Sequence, residues 1–252
     1  MTTPPRILSI AGSDSSGGAG IQADIKTITM LGGYAMTAIT AITAQNTLGV
    51  TMVEALSPDM VAAQIDASVS DIGVDAVKIG MLGSPEIAAV VTDRLAALGV
   101  PVVFDPVMIA TSGSVLADEA TIAGFERLMK LARLTTPNVP ELEALGGPEG
   151  MAARCVAYLA KGGDAEGPMV EDVLVVPGQP RQVWSAPRIA TRHTHGTGCT
   201  LSSAIACGLG AGLGLVPAIE QGRAFVRAAL QAAPGFGSGS GPLGHQAVQS
   251  SS

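Results

Sequence analysis

Chemistry is most concentrated in His195-Gly196-Thr197-Gly198-Cys199-Thr200, which opens a segment rich in Ala, Gly and Ser. Two glycines leave backbone N–H groups accessible. A helix starting there would carry about half a positive charge at its head, a site that suits a transferring phosphoryl group. Gly196, Thr197 and Gly198 are therefore candidate anion-binding positions. The same field lowers the pKa of a thiol, which makes Cys199 a candidate base or polarising group toward a substrate hydroxyl. A tight turn holding a buried, inert cysteine fits the same spacing.

A second glycine-rich stretch, Gly12 to Gly20, follows a short apolar run and precedes a helical pattern. That position is the carboxyl end of a strand, where open α/β sheets bind ligands, although a flexible connection is the alternative. It matches neither GxGxxG nor GxxxxGK[ST], which counts against a nicotinamide enzyme and a Walker-type nucleotidase. Asp24, early in the next helix, reads by itself as a solvated first-turn acid. Gln45 and Asn46 end a strand inside a charge-free run, so each needs a partner, either a ligand or the core. Asp105 ends Val102-Val103-Phe104, and Asn138-Val139-Pro140-Glu141 follows another strand end. Asp105 and Glu141 on one rim would suit Mg²⁺, which keeps several waters and takes one or two protein acids beside phosphates. A pair of helix-capping acids is the alternative. His193, His195 and His245 lack metal-ligand spacing and read as structural or turn residues.

These residues need elements to position them. Short β-branched runs alternate with helical patterns, the signature of a mostly parallel sheet with helices on both faces. Strands are expected at 6–11, 36–42, 76–79, 102–105 and 134–136, and helices at 20–31, 60–72, 85–98 and 118–131. Beyond Gly146 the pattern loosens to a short helix, an apolar run at 155–160 and two late, antiparallel strands at 173–176 and 182–184. Two helices at 198–213 and 218–232 precede a Gly/Ser-rich tail, usually a flexible end. No repeat or linker divides the chain, which reads as one domain.

Composition narrows the function. With 47% hydrophobic and 14% charged residues the chain can bury a sizeable core. Its 14 Lys and Arg against 21 Asp and Glu, without a basic run, leave no electrostatic footprint for nucleic acid or an acidic membrane surface. Two charge-free stretches, 27–53 and 193–219, carry too many hydroxyls and glycines to span a bilayer. Three cysteines without CxxC spacing suggest neither a disulfide framework nor a zinc site, and a reducing, cytoplasmic setting is expected. Cys199 and Cys207, eight residues apart on one helix, would stand roughly 12 Å apart and remain thiols.

In order along the chain stand AGSDSSGGAGIQADIKT, AITAQNT, VKIGMLGS, FDPVM, TPNVPELEAL, LAKGGD and HTHGTGCTLSSAIA. With these segments the sequence resembles the hydroxymethylpyrimidine/phosphomethylpyrimidine kinases of thiamine biosynthesis, in the ribokinase superfamily. The likeness runs from about residue 6 to residue 245 and includes the tail segment GSGPLGH, which argues against a disordered tail. The resemblance implies a ribokinase-like three-layer α/β/α sandwich with a mostly parallel central sheet. It also implies transfer of the γ-phosphoryl of ATP to 4-amino-5-hydroxymethyl-2-methylpyrimidine and then to its monophosphate, and association as a homodimer. By the same resemblance Asp24 and Gln45 read the aminopyrimidine edge, Gly12 belongs to the substrate loop, and Met81 and Val107 flank the ring. Gly196 to Cys199 form the anion hole, with Cys199 where other superfamily members carry an Asp base. Asn138 and Glu141 match an NxxE element that organises Mg²⁺, Asp105 an acid on the phosphate side, and Lys161-Gly162 a segment lining the nucleotide site.

Three departures from the family pattern stand out. Thr111 replaces a Lys that usually follows DPVM, Asp164 replaces a His after KGG, and the stretch from Leu142 to Ala160 is short. Pyridoxal kinase, with the same implied fold and a hydroxymethyl acceptor, is the nearest rival reading. A catalytically weak pyrimidine-binding protein is the other.

Overall fold

The computed structural model describes residues 3–108 and 119–248; Thr111 lies outside them. Nine strands join one sheet in the order β3-β2-β1-β4-β5-β6-β7-β8-β9. The central strands are β1 (Arg6–Asp14), β2 (Tyr34–Asn46), β4 (Ala76–Ile79), β5 (Val102–Phe104), β6 (Leu134–Thr135) and β7 (Tyr158–Ala160), and they pair in parallel. Antiparallel strands close both edges: β3 (Gly49–Ala55) on one side, β8 (Met169–Val175) and β9 (Gln182–Pro187) on the other.

Alternate side chains of each central strand enter opposite cores. Leu8, Val77, Val102 and Phe104 point to one face, where α2 (Pro58–Asp71), α3 (Pro85–Leu95) and α4 (Glu119–Leu131) pack through Ile65, Val91 and Phe125. Phe104 and Phe125 meet edge to face at 5.0 Å. Ile7, Ala76 and Val103 point to the other face, against α1 (Gly20–Met30), α7 (Thr197–Gly210) and α8 (Leu215–Gln231) through Ile28, Ile205 and Ile219. The result is the expected ribokinase-like α/β/α sandwich. A strand buried on both faces carries no polar alternation, which is why β4 and β5 read as short apolar runs.

Helix starts follow local chemistry. Ser57 and Ser84 accept hydrogen bonds from the amides of Met60 and Ile87, each at 3.2 Å, with Pro58 and Pro85 at the first helical position. Asn138 and Glu141 form a reciprocal capping box on α5 (Val139–Ala144). This helix and α6 (Gly147–Arg154) make up the crossover between β6 and β7. Only one short helix was expected there.

The larger departure is at β2, which runs on to Asn46 and turns back as β3. The Asn46 side chain holds that turn by accepting from the amides of Leu48 at 2.8 Å and Gly49 at 3.3 Å. The tail is part of the fold. The Gly244 amide bonds the Ala229 carbonyl at 2.9 Å, and a 3-10 turn at His245–Ala247 sets His245 against Thr200. All three cysteines are free thiols, and no helix among the described residues is long and apolar enough to cross a membrane.

Candidate active site

β2 and β4 flank β1 on opposite sides, so the direction of strand addition reverses at β1, and the carboxyl ends of the strands open there into a crevice. A cavity of about 560 Å³ fills it. Gly12, Gln45, Met81 and Val107 line one part, and Asp105, Asn138, Glu141 and Lys161 another. Gly196, Thr197, Gly198 and Cys199 complete the wall.

The head of α7 is built from glycine for steric reasons. Gly196 has φ 88°, the left-handed region, and a Cβ there would overlap the Gly18 carbonyl oxygen. A Cβ on Gly198 would sit 3.2 Å from the Lys161 ammonium and 3.5 Å from Asp105 Oδ2. The bare Cα thus leaves room at the helix head beside the Lys161–Asp105 ion pair, where the backbone amides of the first turn are the groups suited to an anion. The Thr197 amide is already bonded to the Thr194 carbonyl at 3.2 Å and the Thr200 amide to the Gly196 carbonyl at 2.9 Å. The anion-binding role expected of Thr197, the first residue of α7, therefore does not fall to its backbone N–H; Gly198 and Cys199 follow it in the first turn.

Lys161 binds the two acids together. Its ammonium donates to Asp105 Oδ1 at 2.6 Å and lies 3.8 Å from Glu141 Oε2. Asp105 also accepts from the Thr136 hydroxyl at 2.9 Å. Burial works to raise the Asp105 pKa, but the Lys161 and Lys78 charges and these hydrogen bonds hold it below the usual carboxylate range. Burial dominates at Glu141, with Asp105 and Asp164 adding to it against Lys161, and pushes its carboxyl up to about 7. Among the described residues no group of three or more His, Cys, Asp or Glu side chains forms a metal cage. Two acids already bridged by a lysine fit a magnesium ion only as one that keeps its waters and leans on substrate phosphates.

Several expectations need correction. Asp24 does not reach the cavity and is no solvated acid either. It is fully buried, accepting from the equally buried Lys78 ammonium at 2.9 and 3.0 Å, from Ser9 at 2.5 Å and from Ser203 at 2.6 Å. Its carboxylate is consumed by that network, so it cannot read a ligand edge. Gly162 also turns away: its amide donates to Asp172 Oδ1 at 3.0 Å and its Cα lies against the Glu171 carbonyl. The expected lowering of the Cys199 pKa is reversed. Desolvation, with Asp24 and Asp105 behind it, outweighs the Lys78 charge and the Gly20 amide and pushes the thiol up to about 11.

Two residues of the wall were not anticipated in these roles. Asp14, at the end of β1, accepts from the amides of Gly18 at 3.0 Å, Ala19 at 2.7 Å and Ser16 at 2.8 Å, and from His195 Nε2 at 2.8 Å. Burial would raise its pKa, but these donors, His195 first, hold it below the ordinary value. His195, 4% exposed, also lies 3.4 Å from the Gln45 amide. The sequence placed the two partners 181 residues apart, beyond any local pattern.

A glycine-built helix head beside a lysine and two acids, opening into an apolar-lined cleft on this sheet, fits a small-molecule kinase of the ribokinase-like class. A family model described as phosphomethylpyrimidine kinase matches residues 14–244, and the chain belongs to that family. It is 47% identical to the hydroxymethylpyrimidine/phosphomethylpyrimidine kinase of Rhizobium meliloti, over 94% of this chain and 96% of that one. Among solved structures it is similar to the phosphomethylpyrimidine kinase of Clostridium difficile 630, at 38% identity and TM-score 0.74, over 88% of this chain and 97% of that one. It is also similar to Bacillus subtilis pyridoxal kinase in an ADP complex, at 30% identity and TM-score 0.86, over 97% and 98% of the two chains. Backbone likeness is thus greater to the pyridoxal enzyme and residue likeness greater to the pyrimidine enzymes. Substrate choice resides in side chains, so identity is the better guide to it.

Proposed function

We propose that this chain transfers the γ-phosphoryl of ATP to the hydroxymethyl of 4-amino-5-hydroxymethyl-2-methylpyrimidine, and then phosphorylates the monophosphate, in thiamine biosynthesis. The observation that carries the reading is the single cavity joining Gln45, Met81 and Val107 to the glycine-built head of α7, in a chain of this family. Met81 and Val107 supply apolar faces for a ring, and Gln45 a polar edge. Gly196, Gly198 and Lys161 face the phosphates, with Asn138 fixing Glu141 through the capping box.

In the reaction the acceptor oxygen forms a bond to the γ-phosphorus while the bond from that phosphorus to the β,γ-bridging oxygen breaks. The hydroxyl proton passes, as the new bond matures, to an oxygen of the phosphoryl group being transferred. A loose transition state needs positioning and charge stabilisation more than a strong base. Cys199, protonated at neutral pH, serves as a hydrogen-bonding partner that orients the alcohol. Asp105 and Glu141 would hold a hydrated Mg²⁺, whose contribution is to neutralise phosphate charge.

The proposal includes a cytoplasmic homodimer. Its support is the edge hairpin, where Leu48 in the turn and Met52 and Val53 in β3 are exposed, an apolar edge that a second copy would cover. An ATP-consumption assay over a panel of pyrimidine and pyridine alcohols tests the activity. The aminopyrimidine alcohol should give the highest kcat/KM, and a clear preference for pyridoxal would overturn the reading.

A further inference from the structure

Asp14, His195 and Gln45 form a chain of contacts whose protons can be counted. As placed, Gln45 has Oε1 at 3.2 Å from Thr43 Oγ1 and Nε2 at 3.4 Å from His195 Nε2. Thr43 has one hydroxyl proton, and the Ser13 carbonyl, which can only accept, lies nearer at 2.9 Å. That leaves Thr43 Oγ1 as an acceptor toward Gln45. At the other end, the Asp14 carboxylate accepts from His195 at 2.8 Å, so His195 Nε2 carries its hydrogen and has no lone pair for an amide N–H. Turning the Gln45 amide over puts its NH₂ on Thr43 and its oxygen toward His195, where it replaces an N–H···H–N clash with the longer, 3.4 Å branch of the N–H that His195 gives chiefly to Asp14. Amide orientation is assigned by such networks, and here both neighbours demand the same one.

We propose that Asp14 and His195 are positioning residues that set the Gln45 amide, its oxygen facing the imidazole N–H that Asp14 holds in place and its NH₂ toward the cavity, so that the pocket selects a ring bearing a hydrogen-bond acceptor. One amide hydrogen goes to Thr43 and the other is left for the ligand. The imidazole cannot drift. It packs on Gly18, where a Cβ would overlap His195 Cδ2, and its own backbone is pinned by the Gly241 carbonyl at 3.1 Å. Asp14 meanwhile gathers the amides of Gly18 and Ala19, so one carboxylate ties the substrate loop to the loop that heads α7. The proposal rests on the reading of Gln45 as a ligand-facing residue.

A double-mutant cycle on the KM for the aminopyrimidine alcohol is the test. His195→Ala should raise that KM about tenfold, with kcat changed less than about threefold. In a Gln45→Ala background the same substitution should shift KM less than about twofold. His195→Gln, whose amide can donate from a similar place, should recover most of the loss, and Asp14→Asn should behave like His195→Ala. Additive effects of His195→Ala and Gln45→Ala would overturn the proposal, as would failure of His195→Gln to rescue. If His195→Ala does not fold, Asp14→Asn takes its place in the cycle. A Gln45→Ala protein with unchanged KM is a separate outcome, one that removes Gln45 from the substrate site and the positioning role with it.

Discussion

At the scale of single residues, environment overrules type. Cys199 stands at a helix head, which by itself would acidify a thiol, yet desolvation beside two buried carboxylates wins and the pKa rises to about 11. Only about one thiol in a thousand is then ionised at pH 8. Alkylation by iodoacetamide should accordingly be slow at pH 8 and climb through pH 10; a rate already at its plateau by pH 8 would contradict the assignment. Cys199→Ala should lower kcat about a hundredfold, the low end of the range for a positioned acid/base group, because orientation is lost rather than a standing base. Unchanged kcat would remove the sulfur from the reaction. Asp24 teaches the converse. Nothing local distinguishes it from a solvated acid, and only the fold reveals Lys78 opposite, 54 residues away. A buried pair of this kind is costly to break from one side.

At the scale of elements, legibility tracked the physics of each strand and helix. The central strands were readable because both their faces are buried and their sequences are correspondingly apolar. Pro58 with Asp59 marked the start of α2 in the sequence, and Ser84 that of α3; the capping hydroxyl of Ser57 was seen only in the structure. The β2–β3 hairpin was not readable, since its outward positions carry Ile42, Met52 and Val53, exposed by 45%, 68% and 47%, where a polar half-period would normally mark an edge. That anomaly supports the proposed dimer. Met52→Glu should yield a monomer by sedimentation while leaving thermal stability nearly unchanged, and a variant that still sediments as a dimer would move the contact elsewhere. The site was legible in its glycine-built helix head and its strand-end acids. Asp14 and His195 were not, because their roles arise only when loops far apart in sequence converge.

At the scale of the whole molecule, the tail closes the structure through a buried histidine. His245, 1% exposed, meets the Thr200 hydroxyl at 2.8 Å, and burial followed by the Lys26 charge depresses its pKa to about 4. The unfolded chain therefore binds more protons than the folded one as pH drops from about 6.5 toward 4. Stability from this group is complete above pH 6.5 and declines below it, by up to about 3 kcal/mol. Urea midpoints measured from pH 7 to 4.5 should fall more gently for His245→Gln than for the native protein; parallel declines would exclude His245 as the acid-sensitive latch. On the pocket floor Gly12 offers no side chain, and the Met81 methyl occupies the vacancy, 2.5 Å from where a Cβ would stand. Because a pliable thioether shapes that surface, exchanging Met81 for shorter or bulkier apolar groups is a way to resize the pocket for other aromatic alcohols without disturbing the phosphate end, giving protein engineers a handle on acceptor scope.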